Sequence, residues 1–205
     1  MDGAAGDVTG AVLAGGRSRR MGTDKARLEL GGRPLLFYVL DALTTVADDL
    51  LVVGPRHRLP PLPPAVRAVE DRRPGRGPLE GIATALRESR GRWVLVAACD
   101  LPFLQPALLR ELCDRAAGCD AVVPHVGGRH HLLIVLARHA LPKVEGVLRQ
   151  GETRVDRALA ALDLRTLGEE AVRRVDPDLL SLFNVNTPED LQQARALLQR
   201  GRAPQ

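Results

Sequence analysis

Every residue of the run Trp93 to Ala98, WVLVAA, is apolar, and a strand of that kind has no face it can show to water. It belongs at the centre of a sheet with packed layers on both sides. Around it, short apolar runs alternate with helical stretches from end to end. Further strands are predicted at Val8 to Ala14, Leu50 to Val53, Val66 to Val69, Ala121 to Pro124 and His131 to Ala137. Apolar residues at helical spacing predict helices over Pro34 to Ala47, Leu79 to Glu88, Pro106 to Ala117, Leu141 to Gln150 and Val155 to Leu162. Val172 to Val175 and Leu182 to Val185 read as two more strands. The last helix has the plainest start: Thr187 can cap, Pro188 suits the first turn, and Glu189 and Asp190 favour the positive end of the dipole. It runs to about Gln199, before a frayed tail. This alternation implies an α/β fold, a three-layer sandwich around a mostly parallel central sheet. No linker or internal repeat divides the chain, so residues 1–205 read as one domain with its core over about 8–198.

Several function classes fall away on composition. No apolar run approaches the roughly 18 residues of a membrane span, and MDGAAGDVTG has neither the basic nor the apolar region of a signal peptide. Cys99, Cys113 and Cys119 form no C-x-x-C pair and are odd in number, which points to a reducing cytoplasm rather than a disulfide framework. The formal net charge of +4 is spread along the chain rather than gathered in a block. With only Phe37, Tyr38, Trp93, Phe103 and Phe183 as aromatics, there is no base-stacking platform for nucleic acid. Lys25 and Lys143 are the only lysines among 29 basic residues. Lys25 therefore stands out: a lysine is a compact point charge suited to a phosphate oxygen, where arginine presents a flat fork.

Lys25 closes the segment VTGAVLAGGRSRRMGTDK, residues 8–25, in which a buried strand runs into a glycine-rich, arginine-rich turn. Gly15 and Gly16 permit backbone conformations that let N–H groups close around an anion, and Arg17, Arg19, Arg20 and Lys25 add positive charge. The turn reads as a polyphosphate site. It has neither the Walker A spacing nor G-x-G-x-x-G. Other polar residues also follow strands, as expected where ligands bind beyond the carboxyl ends of a parallel sheet. Asp100 ends the central strand in VLVAACDLP, where a carboxylate can hold Mg²⁺. Its other role would be to cap the next helix, but Pro102 and Pro106 place that helix further on. Asp71, in VEDRRPGRGPLEG, either faces the nucleotide or forms a surface pair with a neighbouring arginine. GRGPLEG allows a loop to approach a flat ring closely, and Asn186 follows the last predicted strand. His130 and His131 are neighbours that point to opposite faces, which disfavours a shared zinc ion. With no nucleophile elbow, a substrate oxygen is the expected nucleophile, and the protein acts by positioning and charge stabilisation.

Taken in order, LAGGRSRRMGTDK, EDRRPGRGPLEG, CDLPFL and FNVNTPEDL resemble the molybdenum cofactor guanylyltransferase, or MobA, family over roughly residues 8–198. The resemblance implies a Rossmann-like sheet and transfer of GMP from GTP, with Mg²⁺, to the terminal phosphate of molybdopterin-bound molybdenum, releasing pyrophosphate. It implies that Leu13, Ala14, Gly15 and Gly16 border the nucleotide, that Lys25 binds its phosphates, that Asp71 lies at the nucleotide and that Asp100 holds Mg²⁺. Arg20, Lys25 and Asp100 are then the catalytic set, and Asn184 and Asn186 lie near the reaction centre. Expected partners are the two substrates and, transiently, other cofactor-biosynthesis or acceptor proteins, with no nucleic acid and no membrane. Two positions depart from the pattern. Val53-Gly54 stands where the family often has an asparagine that touches the guanosine, and Leu132 where some relatives carry proline after the histidine. Rival readings are a CTP-dependent enzyme on the same pterin, whose turn resembles LAAG rather than LAGG, a sugar-phosphate or terpenoid-precursor nucleotidyltransferase, and a nucleotide sensor or chaperone that keeps the fold.

Overall fold

The computed structural model describes residues 7–15 and 24–201, so the expectations for Gly16 and Arg20, and for Arg17 and Arg19, lie outside the described residues. In chain order the elements are β1 (Val8–Leu13), a hairpin of β2 (Glu29–Leu30) and β3 (Arg33–Pro34), α1 (Leu35–Leu43), β4 (Asp49–Val53), β5 (Val66–Val69), α2 (Pro78–Glu88), β6 (Trp93–Ala98), α3 (Pro106–Asp114), β7 (Ala121–Val126), β8 (Arg129–His130), β9 (Leu133–Ala137), α4 (Leu141–Arg149), α5 (Val155–Leu159), β10 (Leu164–Gly168), α6 (Glu169–Val175) and α7 (Pro188–Gln199).

The main sheet has the order β10-β7-β9-β6-β1-β4-β5, with β8 paired to β7. Strands β5, β4, β1 and β6 are mutually parallel, and β10 is parallel to β7. Between β6 and β7, β9 runs antiparallel to both. The reversal is made at Gly127-Gly128, whose φ values of 60° and 72° suit the tight hairpin joining β7 to β8.

Alternation along the strands divides the core into two layers, as a both-face-buried sheet requires. Val12, Val52, Leu95, Val122 and Val135 pack on one face beneath α1, α3 and α6. Ala11, Leu51, Val94, Val123 and Ile134 pack on the other beneath α2, α4 and α5. A third, smaller cluster seats α7: Leu191 and Ala194 meet Leu30, Leu35, Phe103 and Val185. At the carboxyl ends the register sets Leu13 opposite both Val53 and Ala98, so three strands finish together.

The structure corrects several expectations. Val172 to Val175 is the second half of α6, not a strand. Acidic Glu169 and Glu170 start that helix and pair with Arg173 and Arg174 one turn on, at 2.8 and 3.3 Å. Leu182 to Val185 is not a strand either. The buried Asp176 carboxylate accepts the Leu180 and Ser181 N–H groups and curls the chain into a 3₁₀ turn, Leu180–Leu182. His131 lies outside β9, which starts at Leu133. Helices α1, α3 and α5 stop three or four residues before their expected ends. The strand β10 was not predicted: as an edge strand it buries only Leu167, so LRTLG carries no apolar alternation.

At the amino-terminal end of β7, Asp120 is 3% exposed. It accepts hydrogen bonds from Lys143 Nζ at 2.5 Å, from the Asp163 N–H at 2.8 Å and from His139 Nε2 at 3.1 Å. Burial works to raise its pKa, but the bonds from Lys143 and Asp163 outweigh it and hold the carboxyl below its ordinary value. A carboxylate so depressed stabilises the fold above the usual carboxylate range and loses that contribution as pH falls through its lowered pKa. In urea titrations, Asp120→Ala should cost about 1–3 kcal/mol at neutral pH. The gap from the parent protein should narrow well below about pH 4.

Candidate active site

Four polar side chains meet where β1 and β6 end. The Lys25 ammonium donates to Asp100 Oδ2 at 2.6 Å and to Asn186 Oδ1 at 2.5 Å, and Asn184 Nδ2 donates to Asp100 Oδ1 at 3.3 Å. Each partner arrives from a different part of the chain and is held there by its own local structure. Asp100 follows β6, and the first helix after it has Gln105, not Asp100, at its N-cap position. Lys25 opens a 3₁₀ turn, Lys25–Arg27, that Arg27 pins to the carbonyls of His57, Arg58 and Leu59 at 2.8–3.1 Å. Asn184 and Asn186 flank Val185, whose N–H donates to the Asp100 carbonyl at 2.9 Å. Asn186 is fixed further by α7. The capping box of Thr187 and Asp190 is complete, and Asp190 Oδ2 accepts the N–H groups of both Asn186 and Thr187 at 2.9 Å.

The other end of the same cleft is at Asp71, just beyond β5. The two ends follow β6 and β5, the outer members of four adjacent strands, and three normal sheet spacings span about 14 Å. Between them runs a cavity of about 240 Å³ lined by Leu13, Gly15, Val53, Gly77, Pro78 and Leu132 together with Lys25, Asp71 and Asp100. Asp71 is half-buried, and burial raises its pKa above the ordinary carboxylate value; the Glu80 charge pushes the same way, while Thr84 and Arg87 oppose. Cys99 also lines the cavity, but burial and the neighbouring Asp100 charge push its thiol up to about 12, so it is no nucleophile.

At the departure Val53-Gly54, the glycine has a structural reason. A Cβ on Gly54 would lie 3.0 Å from the Ala14 carbonyl carbon and 3.2 Å from the Gly15 nitrogen. The loop after β4 is pressed against the turn after β1, with Ala14 N–H donating to the Val53 carbonyl at 2.8 Å. Any side chain at 54 would displace the turn that borders the cleft.

A second basin, of about 610 Å³, lies on the far side of Leu132, lined by Arg129, His131, Leu179, Phe183 and Gln193 among others. Leu179 has φ 55°, the only left-handed non-glycine backbone among the described residues. His131 is 9% exposed, with Nε2 set 3.3 Å from the Val126 carbonyl, and burial lowers its pKa.

The family model described as MobA-like NTP transferase domain matches residues 10–166. The chain belongs to that family. It is 38% identical over 199 residues to a probable molybdenum cofactor guanylyltransferase of Chloroflexus aggregans, covering 93% of this chain and 95% of the relative. A molybdenum cofactor guanylyltransferase of Desulfosudis oleivorans is 36% identical over 198 residues, covering 95% and 98%. Among solved structures, molybdopterin-guanine dinucleotide biosynthesis protein A of Archaeoglobus fulgidus superposes with a TM-score of 0.80 at 30% identity, covering 94% of this chain and 99% of that one. A 2-C-methyl-D-erythritol 4-phosphate cytidylyltransferase of Thermus thermophilus (TM-score 0.72, 22% identity, covering 92% and 98%) shares the fold.

Of the predicted site residues, Leu13, Gly15, Lys25, Asp71 and Asp100 line one cavity. Asn184 and Asn186 touch Asp100 and Lys25 at its edge, and Ala14 sits in the turn. Sequence reading missed Thr84 and Arg87, which face Asp71 from α2. Their signal was there: Thr84 and Arg87 follow Glu80 of GRGPLEG at helical spacing. Gly54→Ala should weaken nucleotide binding severalfold and lower stability by about 1–3 kcal/mol, readable by calorimetry with a nucleoside triphosphate and by thermal melting.

Proposed function

We propose that this chain is a single-domain molybdenum cofactor guanylyltransferase, transferring GMP from GTP to the terminal phosphate of molybdopterin-bound molybdenum. The observation that carries the reading is the Lys25–Asp100 pair, with Asn184 and Asn186 on its two partners, at the carboxyl ends of β1 and β6. Triphosphate lies at this end of the cleft and the base at the Asp71 end. The names of the relatives supply the substrates.

An oxygen of the acceptor phosphate attacks the α-phosphorus of GTP. The bond from that phosphorus to the bridging oxygen breaks, and the electron pair departs on pyrophosphate. A phosphate monoester already carries negative charge near neutral pH, so no side-chain base is required. Lys25 turns from Asp100 to the phosphate oxygens and meets the charge that develops there. A divalent cation fits beside it. Asp100 offers one carboxylate and Asn184 one amide group, leaving the remaining positions to phosphates and waters, the donor set that Mg²⁺ favours. Bound there, Mg²⁺ supplies neutralisation of the triphosphate and polarisation of the phosphorus under attack. The acceptor occupies the second basin, where Arg129 offers charge to a phosphate and Phe183 a ring face, next to Asn184.

Asp100→Ala should fold and lose pyrophosphate release in Mg²⁺; a folded variant with near-normal turnover would remove Asp100 from the metal site. Lys25→Ala should lower kcat by about 10²–10³ at saturating GTP, and an unchanged kcat would refute its role. GTP should be used over CTP by roughly 10²-fold or more in kcat/KM, since a base-reading site leaves its polar groups unpaired with the wrong base. Pyrophosphate release with each nucleoside triphosphate, with and without molybdopterin, tests the substrate pair directly, and equal use of CTP would overturn the guanylyl assignment.

A further inference from the structure

Three side-chain polar atoms are buried without a hydrogen-bond partner among the described residues: Asp71 Oδ1, Thr84 Oγ1 and Arg87 Nη1. They form one group. Glu80, Thr84 and Arg87 occupy a single face of α2, spaced four and three residues apart. The charges of Glu80 and Arg87 both act on the Asp71 carboxylate, and the Thr84 hydroxyl lies near enough to favour its ionised form without the geometry of a hydrogen bond. The set holds an acceptor, a hydroxyl that can serve as either, and a donor. The other terminal nitrogen of Arg87, Nη2, is already engaged, donating to Glu145 Oε1 of α4 at 2.6 Å. Asp71 Oδ2 points the other way: it would sit 3.9 Å from a Cβ placed on Gly15, at the wall of the cleft.

The carboxylate therefore has one oxygen toward the nucleotide and one toward α2. Unpaired buried polar atoms are rare and costly. We propose that Thr84 and Arg87 are positioning residues for base selection, holding Asp71 ionised and oriented so that its cleft-facing oxygen accepts the N–H groups of the guanine edge. The inference rests on reading the cleft as a guanine-nucleotide site. Burial and Glu80 of α2 work to protonate Asp71; Thr84 and Arg87 work against them, and Glu145 of α4 keeps Arg87 in place. Loss of either supporting group moves the Asp71 pKa further up, so GTP affinity fails at a higher pH than in the parent protein.

The test is calorimetric GTP and CTP binding across about pH 5 to 8 for the parent chain and for Thr84→Val, Thr84→Ser, Arg87→Met, Arg87→Lys and Asp71→Asn, with thermal melts to establish folding. Thr84→Val and Arg87→Met should bind GTP about tenfold more weakly near the acid end, with the acid limb displaced to higher pH. Thr84→Ser and Arg87→Lys should recover most of the affinity, and kcat at saturating GTP should be unchanged. A folded Thr84→Val protein with parental GTP affinity and an unmoved acid limb overturns the proposal, and decides the matter if Arg87→Met does not fold. If Asp71→Asn loses its preference for GTP while the Thr84 and Arg87 variants behave as parent, only the positioning role falls. If the parent chain itself does not prefer GTP to CTP, the guanine reading falls and takes the proposal with it.

Discussion

An ammonium and a carboxylate held 2.6 Å apart and largely shielded from water are the hinge of this molecule. Each would be expensive to shelter alone, and each makes the other tolerable. The pair also holds a cation and an anion side by side at the wall of the cleft. Much of the surrounding structure serves that placement. Arg27 fastens the lysine turn to the loop after β4, and the capping box of α7 brings Asn186 within reach. The small core of Phe103, Val185 and Leu191 docks α7 against the loop that follows Asp100.

The sheet does the rest by spacing. Parallel strands ending in register put Asp100 at one end of a row and Asp71 at the other, with no dedicated scaffold for either. The central antiparallel β9 matters here as well. Because it enters from the carboxyl end, its preceding residues, His131 and Leu132, fall beside the site instead of at the far end of the sheet. A strictly parallel strand in that position would have carried them away.

The parts legible in the sequence are those fixed by local chemistry. WVLVAA could only be central, Thr187-Pro188-Glu189-Asp190 could only begin a helix, and LAGGRSRRMGTDK carried its charge openly. The misreadings at Val172 to Val175 and Leu182 to Val185 came from apolar residues whose conformation is decided elsewhere, by i,i+4 ion pairs in one case and by the buried Asp176 carboxylate in the other. Lys25, Asp71 and Asp100, which line the cleft, stand out in the sequence, two as acids just past strands and one as a rare lysine. Thr84 and Arg87 do not, because they look like ordinary helix residues until Asp71 is placed against them.

The position of β1 has a consequence for how the chain comes into being. This first strand lies in the middle of the sheet, between β4 and β6. One of its edges is covered soon, by Asp49–Val53, but the other waits for Trp93–Ala98. During synthesis this buried strand therefore stands open along one side for some time, a template for pairing with any other strand nearby. The last contributors to the cleft, Asn184 and Asn186, emerge later still. The cleft is complete only once these residues have been made, so shorter partial chains carry the hazard of the sheet without any benefit of a ligand.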